Sequence, residues 1–147
     1  MKFSRPLVIA LLALLGLAVS IYLLTVHLGL WSAVCLGVGD CEAVNTSRFS
    51  EFLGLPVALW GIGAYLTLFA LSVAIMRNIF AEWARRGLFA VAAIGVAFSA
   101  YLTYIELYVL YEVCPWCVLS AIIVTLIAVL SALELRDAAL YEPETSA

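Results

Sequence analysis

Residues Cys114-Pro115-Trp116-Cys117 form a Cys-x-x-Cys pair at the start of a long apolar run, residues 113–133. A run of this length matches the roughly 20 residues that a helix needs to cross a bilayer. Proline is favoured at the first position of a helix, where its missing N–H costs nothing. The sequence therefore predicts a membrane helix with a reactive cysteine pair at its mouth.

The composition of the whole chain also indicates a membrane protein. Of its 147 residues, 67% are hydrophobic and only 12% are charged, so a soluble domain would lack polar surface. The net charge of -3 gives no indication of nucleic-acid binding. We expect one all-α integral membrane domain over residues 1–147.

The hydropathy pattern predicts a four-transmembrane-helix bundle. A signal peptide is the alternative for the first apolar run, because residues 18–20 are small, but the run continues unbroken through residues 21–26. We therefore predict a retained helix, and we assign residues 136–147 to a polar cytoplasmic tail. The predicted spans lie at about residues 6–30, 56–76, 88–105 and 113–133.

The connection between the first two spans carries the second cysteine pair, Cys35 and Cys41. Glycines between these cysteines make that part of the loop mobile. Residues 45–53 alternate apolar and charged side chains, and we predict a short interfacial helix there that caps the bundle. Gly54 and Pro56 then precede the second span, where proline is tolerated in the first turn.

The distribution of basic residues predicts the orientation. Six of the seven lysines and arginines fall on one side of the four-span arrangement, and only Arg48 falls on the other. The positive-inside rule then places both termini in the cytoplasm and both cysteine pairs in the periplasm or outside the cell. Disulfides form and persist in that compartment. We expect a multi-pass protein of the bacterial inner membrane.

The two cysteines of the Cys-x-x-Cys pair face different surroundings. A helix N-terminus stabilises a thiolate, which is the nucleophile in disulfide exchange. Cys117 lies about 4.5 Å deeper than Cys114 at ~1.5 Å per residue, so we expect Cys114 to meet water and Cys117 to meet lipid-soluble molecules. The loop pair on the same side can deliver electrons to Cys114. Electrons leaving Cys117 need a lipid-soluble two-electron acceptor, such as a quinone.

Other uses of four outward-facing cysteines stay open. They would serve as two structural disulfides in a non-enzymatic membrane scaffold. They would also supply a Cys₄ zinc site, but an oxidising compartment removes thiolates and the spacing of Cys35 and Cys41 is loose for a metal. We assign no metal site.

The order of these motifs resembles that of the vitamin K epoxide reductase (VKOR) family. The shared features are a loop Cys-x5-Cys, then Ser47, then Gly-Leu-Pro before the second span, and Cys-Pro-Trp-Cys opening the fourth. The DsbB family does the same job as the VKOR family, but its Cys-x-x-Cys lies in the first outer loop and its other cysteine pair in the second. In this chain the order is reversed, as in the VKOR family. The resemblance covers nearly the whole chain and implies a bacterial type without a fused thioredoxin-like domain.

The resemblance implies an electron relay. Cys35 would exchange with a reduced periplasmic DsbA-like thioredoxin-fold protein, which is a separate partner. Cys41 would pass the electrons to Cys114, and Cys117 would reduce ubiquinone or menaquinone. Ser47 matches a loop serine near the quinone, although a helix cap or turn explains it equally well. The alternative within this chemistry is a quinone or vitamin K epoxide reductase whose main product is quinol.

Candidate quinone contacts differ from those of vertebrate members, which carry an asparagine in the second span and a tyrosine after the last cysteine. Val57 and Ala121 occupy those positions here, and neither side chain can hydrogen-bond a quinone carbonyl. This difference argues against vertebrate-like epoxide reduction. Trp60 and Trp116 stand at a similar depth and suit either a quinone pocket or an aromatic belt. We favour Trp116 for the pocket because it adjoins Cys117.

Glu106 and His27 are the remaining polar candidates near the outer end of the spans. Each has a chemical interpretation, since Glu106 would tune thiolates or accept a proton and His27 would transfer protons. For both we expect an interfacial side chain that takes no part in catalysis. Three tyrosines at the same level fit an aromatic belt as well as a pocket. They are Tyr101, Tyr104 and Tyr108.

Overall fold

The computed structural model describes residues 4–30, 51–111 and 113–145. In this part of the chain, four helices are long and apolar enough to cross a membrane, which confirms the predicted four-helix architecture. The helices are α1 (Ser4–His27), α2 (Val57–Met76), α3 (Ala81–Ile105) and α4 (Pro115–Thr145).

The first two helices end where left-handed residues reverse the chain. After α1, Gly29 adopts φ +76°, and the N–H groups of Gly29 and Leu30 donate to Val26 and Thr25 at 3.0 Å each. This Schellman arrangement satisfies carbonyls that the helix end leaves unpaired. Asn78, with φ 56°, follows the end of α2 in the same way.

A two-stranded hairpin leads into α2. Strand β1 (Glu51–Phe52) pairs antiparallel with β2 (Leu55–Pro56), and the two turn residues between them both have positive φ. The predicted interfacial helix over residues 45–53 is therefore wrong for residues 51–53, and its other residues lie outside the described part. A turn of this kind with glycine second is a standard hairpin connection, which explains the strand pairing.

The hairpin is fastened to the bundle by polar and aromatic contacts. Trp60 Nε1 donates to the carbonyl oxygen of Phe52 at 3.0 Å. The ring of Phe52 packs edge-on against Trp60 and Phe98, with centroids 6.0 and 5.6 Å away. His27 Nε2 lies 3.6 Å from Glu51 Oε1, so the end of α1 also contacts the hairpin.

The third and fourth helices are longer than their apolar runs. The sequence predicts a polar loop before a span at residue 88, but α3 begins at Ala81. Alanine, glutamate and arginine are good helix formers, and the pair Glu82–Arg86 stabilises one exposed face at the start of this helix. The predicted polar tail likewise continues α4 through Thr145.

The four helices form a ring in which each contacts its neighbours in sequence order, and α4 closes the ring against α1. Small residues allow close approach. The ring of Tyr65 lies directly against Gly16, and Ser20 Oγ lies 2.8 Å from where a Cβ on Gly61 would stand. Gly95 approaches Val124 with the same 2.8 Å separation. The helix backbones meet through these positions, as small residues permit in membrane bundles.

At the end of the bundle away from the cysteine pair, charged side chains join three helices. The carboxylate of Glu134 is buried and contacts Arg85 of α3 at 3.5 Å and Arg5 of α1 at 4.0 Å. Arg5 also pairs with Asp137. Buried carboxylates require such partners, so this cluster fixes the relative positions of α1, α3 and α4.

Replacing Gly16 with leucine should destabilise the bundle, because any Cβ at this position meets the Tyr65 ring. Overpacking of this kind costs about 1–3 kcal/mol. A Cβ on Gly63 of α2 would have no neighbouring atom within 4 Å, so Gly63→Leu serves as the matched control. We expect a lower Tm in detergent for Gly16→Leu alone, and equal melting of the two variants would contradict this packing argument.

Candidate functional site

The cysteine pair stands at the start of α4 as predicted. The helix begins at Pro115, and the carbonyl of Cys114 accepts the N–H of Val118 at 3.1 Å, as expected of a residue that caps a helix. The Cys114 sulfur accepts hydrogen bonds from the backbone N–H groups of Trp116 and Cys117. The sulfur therefore occupies the position that a capping oxygen takes at other helices.

Both residues of the pair are free thiols, and their side chains are hydrogen-bonded to one another. The hydrogen bond from Cys117 lowers the pKa of Cys114, and the N–H groups of the helix start lower it further. Burial and the negative charge of Glu106 oppose this shift. Cys114 is thus the sulfur that ionises readily, in agreement with thiolates at helix N-termini.

Cys114 is nevertheless fully buried, with an exposed fraction of 0%. It packs in a small apolar cluster with Val19, Leu23 and Ala58. The sequence predicts that this sulfur meets water, and that prediction is wrong for this conformation, because the structure places the sulfur beneath the surface. A large soluble partner cannot touch Cys114 here.

Glu106 occupies the other side of the cysteine pair. A π-helical turn (Glu106–Leu110) follows α3, and Tyr111 with φ 55° then redirects the chain toward α4. The carboxylate is only 4% exposed, Oε2 accepts the Cys114 backbone N–H at 3.3 Å, and the Cys117 thiol is in contact with the same carboxylate. The expectation of an interfacial side chain is therefore wrong for Glu106, because its carboxylate is buried. π-Turns frequently occur at functional sites.

A cavity of about 510 Å³ lies among the four helices and borders the Cys117 side chain. Its wall is mostly apolar, and all four helices contribute to it. Pockets of this size and character bind small organic ligands. The polar side chains in the wall include Ser20, Tyr65, Ser99, Thr103, Glu106, Cys117 and Ser120.

The structure divides the candidate quinone contacts into residues that line the cavity and residues that do not. Val57 and Trp60 line the cavity together with Cys117. Trp116 and Ala121 do not line it, and the Trp116 ring packs on Tyr22 of α1 at 5.1 Å. Cys35, Cys41 and Ser47 lie outside the described residues. Three tyrosines are more than half exposed on the outer surface, away from the cavity: Tyr101, Tyr104 and Tyr108.

Tyr65 and Ser120 are site residues that the sequence does not single out. The Tyr65 hydroxyl donates to the Ser120 carbonyl oxygen at 2.9 Å and lies 2.8 Å from Ser120 Oγ, joining α2 to α4 across the cavity wall. A buried phenol in an apolar helix requires a polar partner. This requirement is the sequence signal that could have identified Tyr65, because Tyr65 is the only tyrosine in the second span.

Residues 7–132 match the vitamin K epoxide reductase family, and they cover most of the chain. The chain belongs to this family. Members of the VKOR family are oxidoreductases that act with quinones, and the four apolar helices make this chain a multi-pass membrane member. The match includes both cysteine pairs, the cavity-lining residues and the π-helical turn.

The pKa of Cys114 can be measured by alkylation at different pH values. Because the thiol of Cys117 is the main cause of its low pKa, Cys117→Ala should move the alkylation midpoint of Cys114 to higher pH. Cys117→Ser, which keeps a hydroxyl donor, should move it less. Identical midpoints in the wild type and the alanine variant would show that the helix N-terminus alone sets this pKa.

Proposed function

We propose that the protein is a membrane thiol oxidase that transfers electrons from a reduced periplasmic DsbA-like thioredoxin-fold protein to a quinone. The electrons pass from Cys35 and Cys41 to Cys114 and Cys117, and then to ubiquinone or menaquinone. The observation that carries the proposal is the placement of Cys117 in the wall of the cavity while its partner Cys114 is buried behind it. A quinone pool supplies oxidising equivalents of the strength that disulfide formation in bacteria needs.

The cavity suits the ring of a quinone. Its volume of about 510 Å³ and its apolar wall fit a flat, lipid-soluble ring, while Tyr65 and Glu106 add polar groups. Part of the wall also faces outward, because Trp60 and Ile94 are 42% and 69% exposed. These residues belong to α2 and α3, so the proposed route for a quinone from the lipid runs between these helices.

The burial of Cys114 supports a relay through the loop pair. A folded protein partner cannot approach a sulfur that is fully covered, so the proposal assigns the exchange with Cys114 to a cysteine of the same chain. The low pKa of Cys114 makes it a good attacking and leaving group in disulfide exchange. We therefore assign exchange with Cys41 to Cys114 and quinone reduction to Cys117.

The proposed orientation has both termini in the cytoplasm and both cysteine pairs in the periplasm. Arg5, Arg85 and Glu134 meet at the end of the bundle opposite to Cys114, which supports a basic cytoplasmic end. Val57 lines the cavity without a hydrogen-bonding side chain, so epoxide reduction of the vertebrate kind is disfavoured.

The proposal is tested with the purified protein in detergent, dithiothreitol as electron donor and short-chain ubiquinone or menaquinone as acceptor. We expect quinone reduction by the wild type and a loss of at least about 100-fold in Cys117→Ser and Cys114→Ala, because both sulfurs form the oxidised product. Undiminished quinone reduction in both variants would overturn the proposal.

The partner side is tested by trapping. Cys114→Ala leaves the loop pair without its electron acceptor, so a reduced thioredoxin-fold protein should accumulate as a mixed disulfide through Cys35 or Cys41 on a non-reducing gel. Cys35→Ala/Cys41→Ala in the same background is the control and should trap nothing. Absence of any trapped species, with disulfides that resist mild reductant, would favour the scaffold with two structural disulfides.

Filling the cavity should block quinone access without unfolding the bundle. Ala64 lines the cavity, whereas Ala70 on the same helix is exposed and does not. Ala64→Phe should raise the KM for quinone by about tenfold or more, since a phenyl ring occupies the space of the substrate. Ala70→Phe should leave the KM unchanged. Equal KM values in the two variants would place the quinone elsewhere.

A further inference from the structure

We infer that Glu106 is the proton acceptor for Cys117 during quinone reduction and the donor of that proton to a quinone oxygen. The inference rests on the proposed function and adds a catalytic residue to it. It follows from the position of the carboxylate beside the Cys117 thiol in the wall of the cavity.

Glu106 is in contact with the group that must lose a proton. The Cys117 thiol is in contact with the Glu106 carboxylate, and both side chains line the cavity. A general base must lie within hydrogen-bond reach of the proton that it abstracts. Glu106 meets this condition, and it also borders the space that a quinone would occupy. One side chain therefore touches both the donor and the destination of the proton.

The surroundings of Glu106 differ from those of Glu134, the other buried carboxylate among the described residues. Glu106 is 4% exposed, and among residues 4–30, 51–111 and 113–145 it forms no ion pair. Its described partners are the Cys114 N–H and the Cys117 thiol. No arginine or lysine among these residues pairs with the carboxylate, which leaves it available to the thiol. By contrast, the buried Glu134 contacts two arginines and has a structural role.

The two sulfurs differ in their need for a base. Cys114 ionises with the help of backbone N–H groups at the helix start. Cys117 lies one turn further along the helix, in contact with the Glu106 carboxylate, so this carboxylate is the base within reach of its proton. Among the described residues, the titratable groups in contact with Glu106 are these two thiols, and Tyr65 lines the same cavity.

Protons and electrons balance when Glu106 takes this role. Cys114 enters the step as the thiolate that disulfide exchange releases, and Cys117 transfers its proton to Glu106. The two sulfurs lose two electrons and form one S–S bond, while the quinone gains those two electrons. One quinol proton comes from Glu106, and the second comes from water. Glu106 ends the step as the carboxylate.

The test compares Glu106→Gln with wild type, using dithiothreitol and short-chain ubiquinone. Glutamine keeps an acceptor for the Cys114 N–H but cannot take a proton, so kcat should fall about 100-fold while the KM for quinone changes by less than about threefold. Glu106→Asp should recover at least about tenfold over the glutamine variant, since it restores a carboxylate. Glu82→Gln, the same change on an exposed position of α3, should behave as wild type.

A second measurement separates proton transfer from a purely electrostatic role. The negative charge of Glu106 raises the pKa of Cys114, so Glu106→Gln should move the alkylation midpoint of Cys114 to lower pH. A residue that only tuned the thiolates would then make the variant faster. The inference requires the opposite, namely more Cys114 thiolate together with slower quinone reduction.

The outcomes distinguish this inference from the proposed function. Wild-type quinone reduction that Glu106→Gln leaves unchanged at every pH overturns the role of Glu106 only. A wild type that reduces no quinone, or a Cys117→Ser variant as active as wild type, overturns both. If the glutamine variant fails to fold, Glu106→Asp decides alone: a pH–rate profile that shifts relative to wild type supports the inference, and an unchanged profile contradicts it.

Discussion

The start of α4 depends on a set of hydrogen bonds that replace water at a helix N-terminus. The first N–H groups of any helix lack partners within the helix, and an apolar environment makes them costly to leave unpaired. Here Glu106 accepts the N–H of Cys114, and the Cys114 sulfur accepts the N–H groups of Trp116 and Cys117. Because Pro115 has no N–H, the helix can begin inside an apolar cluster with its donors satisfied.

The same bonds give the two cysteines different properties. Cys114 is directed into the cluster with Val19, Leu23 and Ala58, whereas Cys117 borders the cavity. The geometry of the cavity depends in turn on close helix approach, because Gly16 leaves the space in which Tyr65 reaches Ser120. Close packing at Gly16 thus positions the Tyr65 hydroxyl against α4, the helix that begins at the cysteine pair.

The spans and the start of α4 could be predicted because each depends on local sequence. A run of apolar residues is sufficient to indicate a membrane helix, and Pro115 marks a helix start. The hairpin could not be predicted in this way, since Leu53 adopts a left-handed conformation that leucine disfavours. The burial of Glu106 and the Tyr65–Ser120 bond were also missed, because both depend on contacts between helices that are distant in sequence.

The separation of the two sulfurs has a consequence for the proposed relay. If one sulfur faced both the protein partner and the quinone, the partner's thiols would have direct access to the cavity, and solvent would enter with them. In this structure Cys114 is covered and Cys117 opens on a mainly apolar space, so only the S–S bond between them would connect the two sides. The wall around Cys117 is mostly apolar, and a buried carboxylate there interacts more strongly with a thiol proton than it would in solvent. The burial of Cys114, which prevents direct contact with a large partner, is therefore part of the same arrangement that makes Glu106 effective beside Cys117.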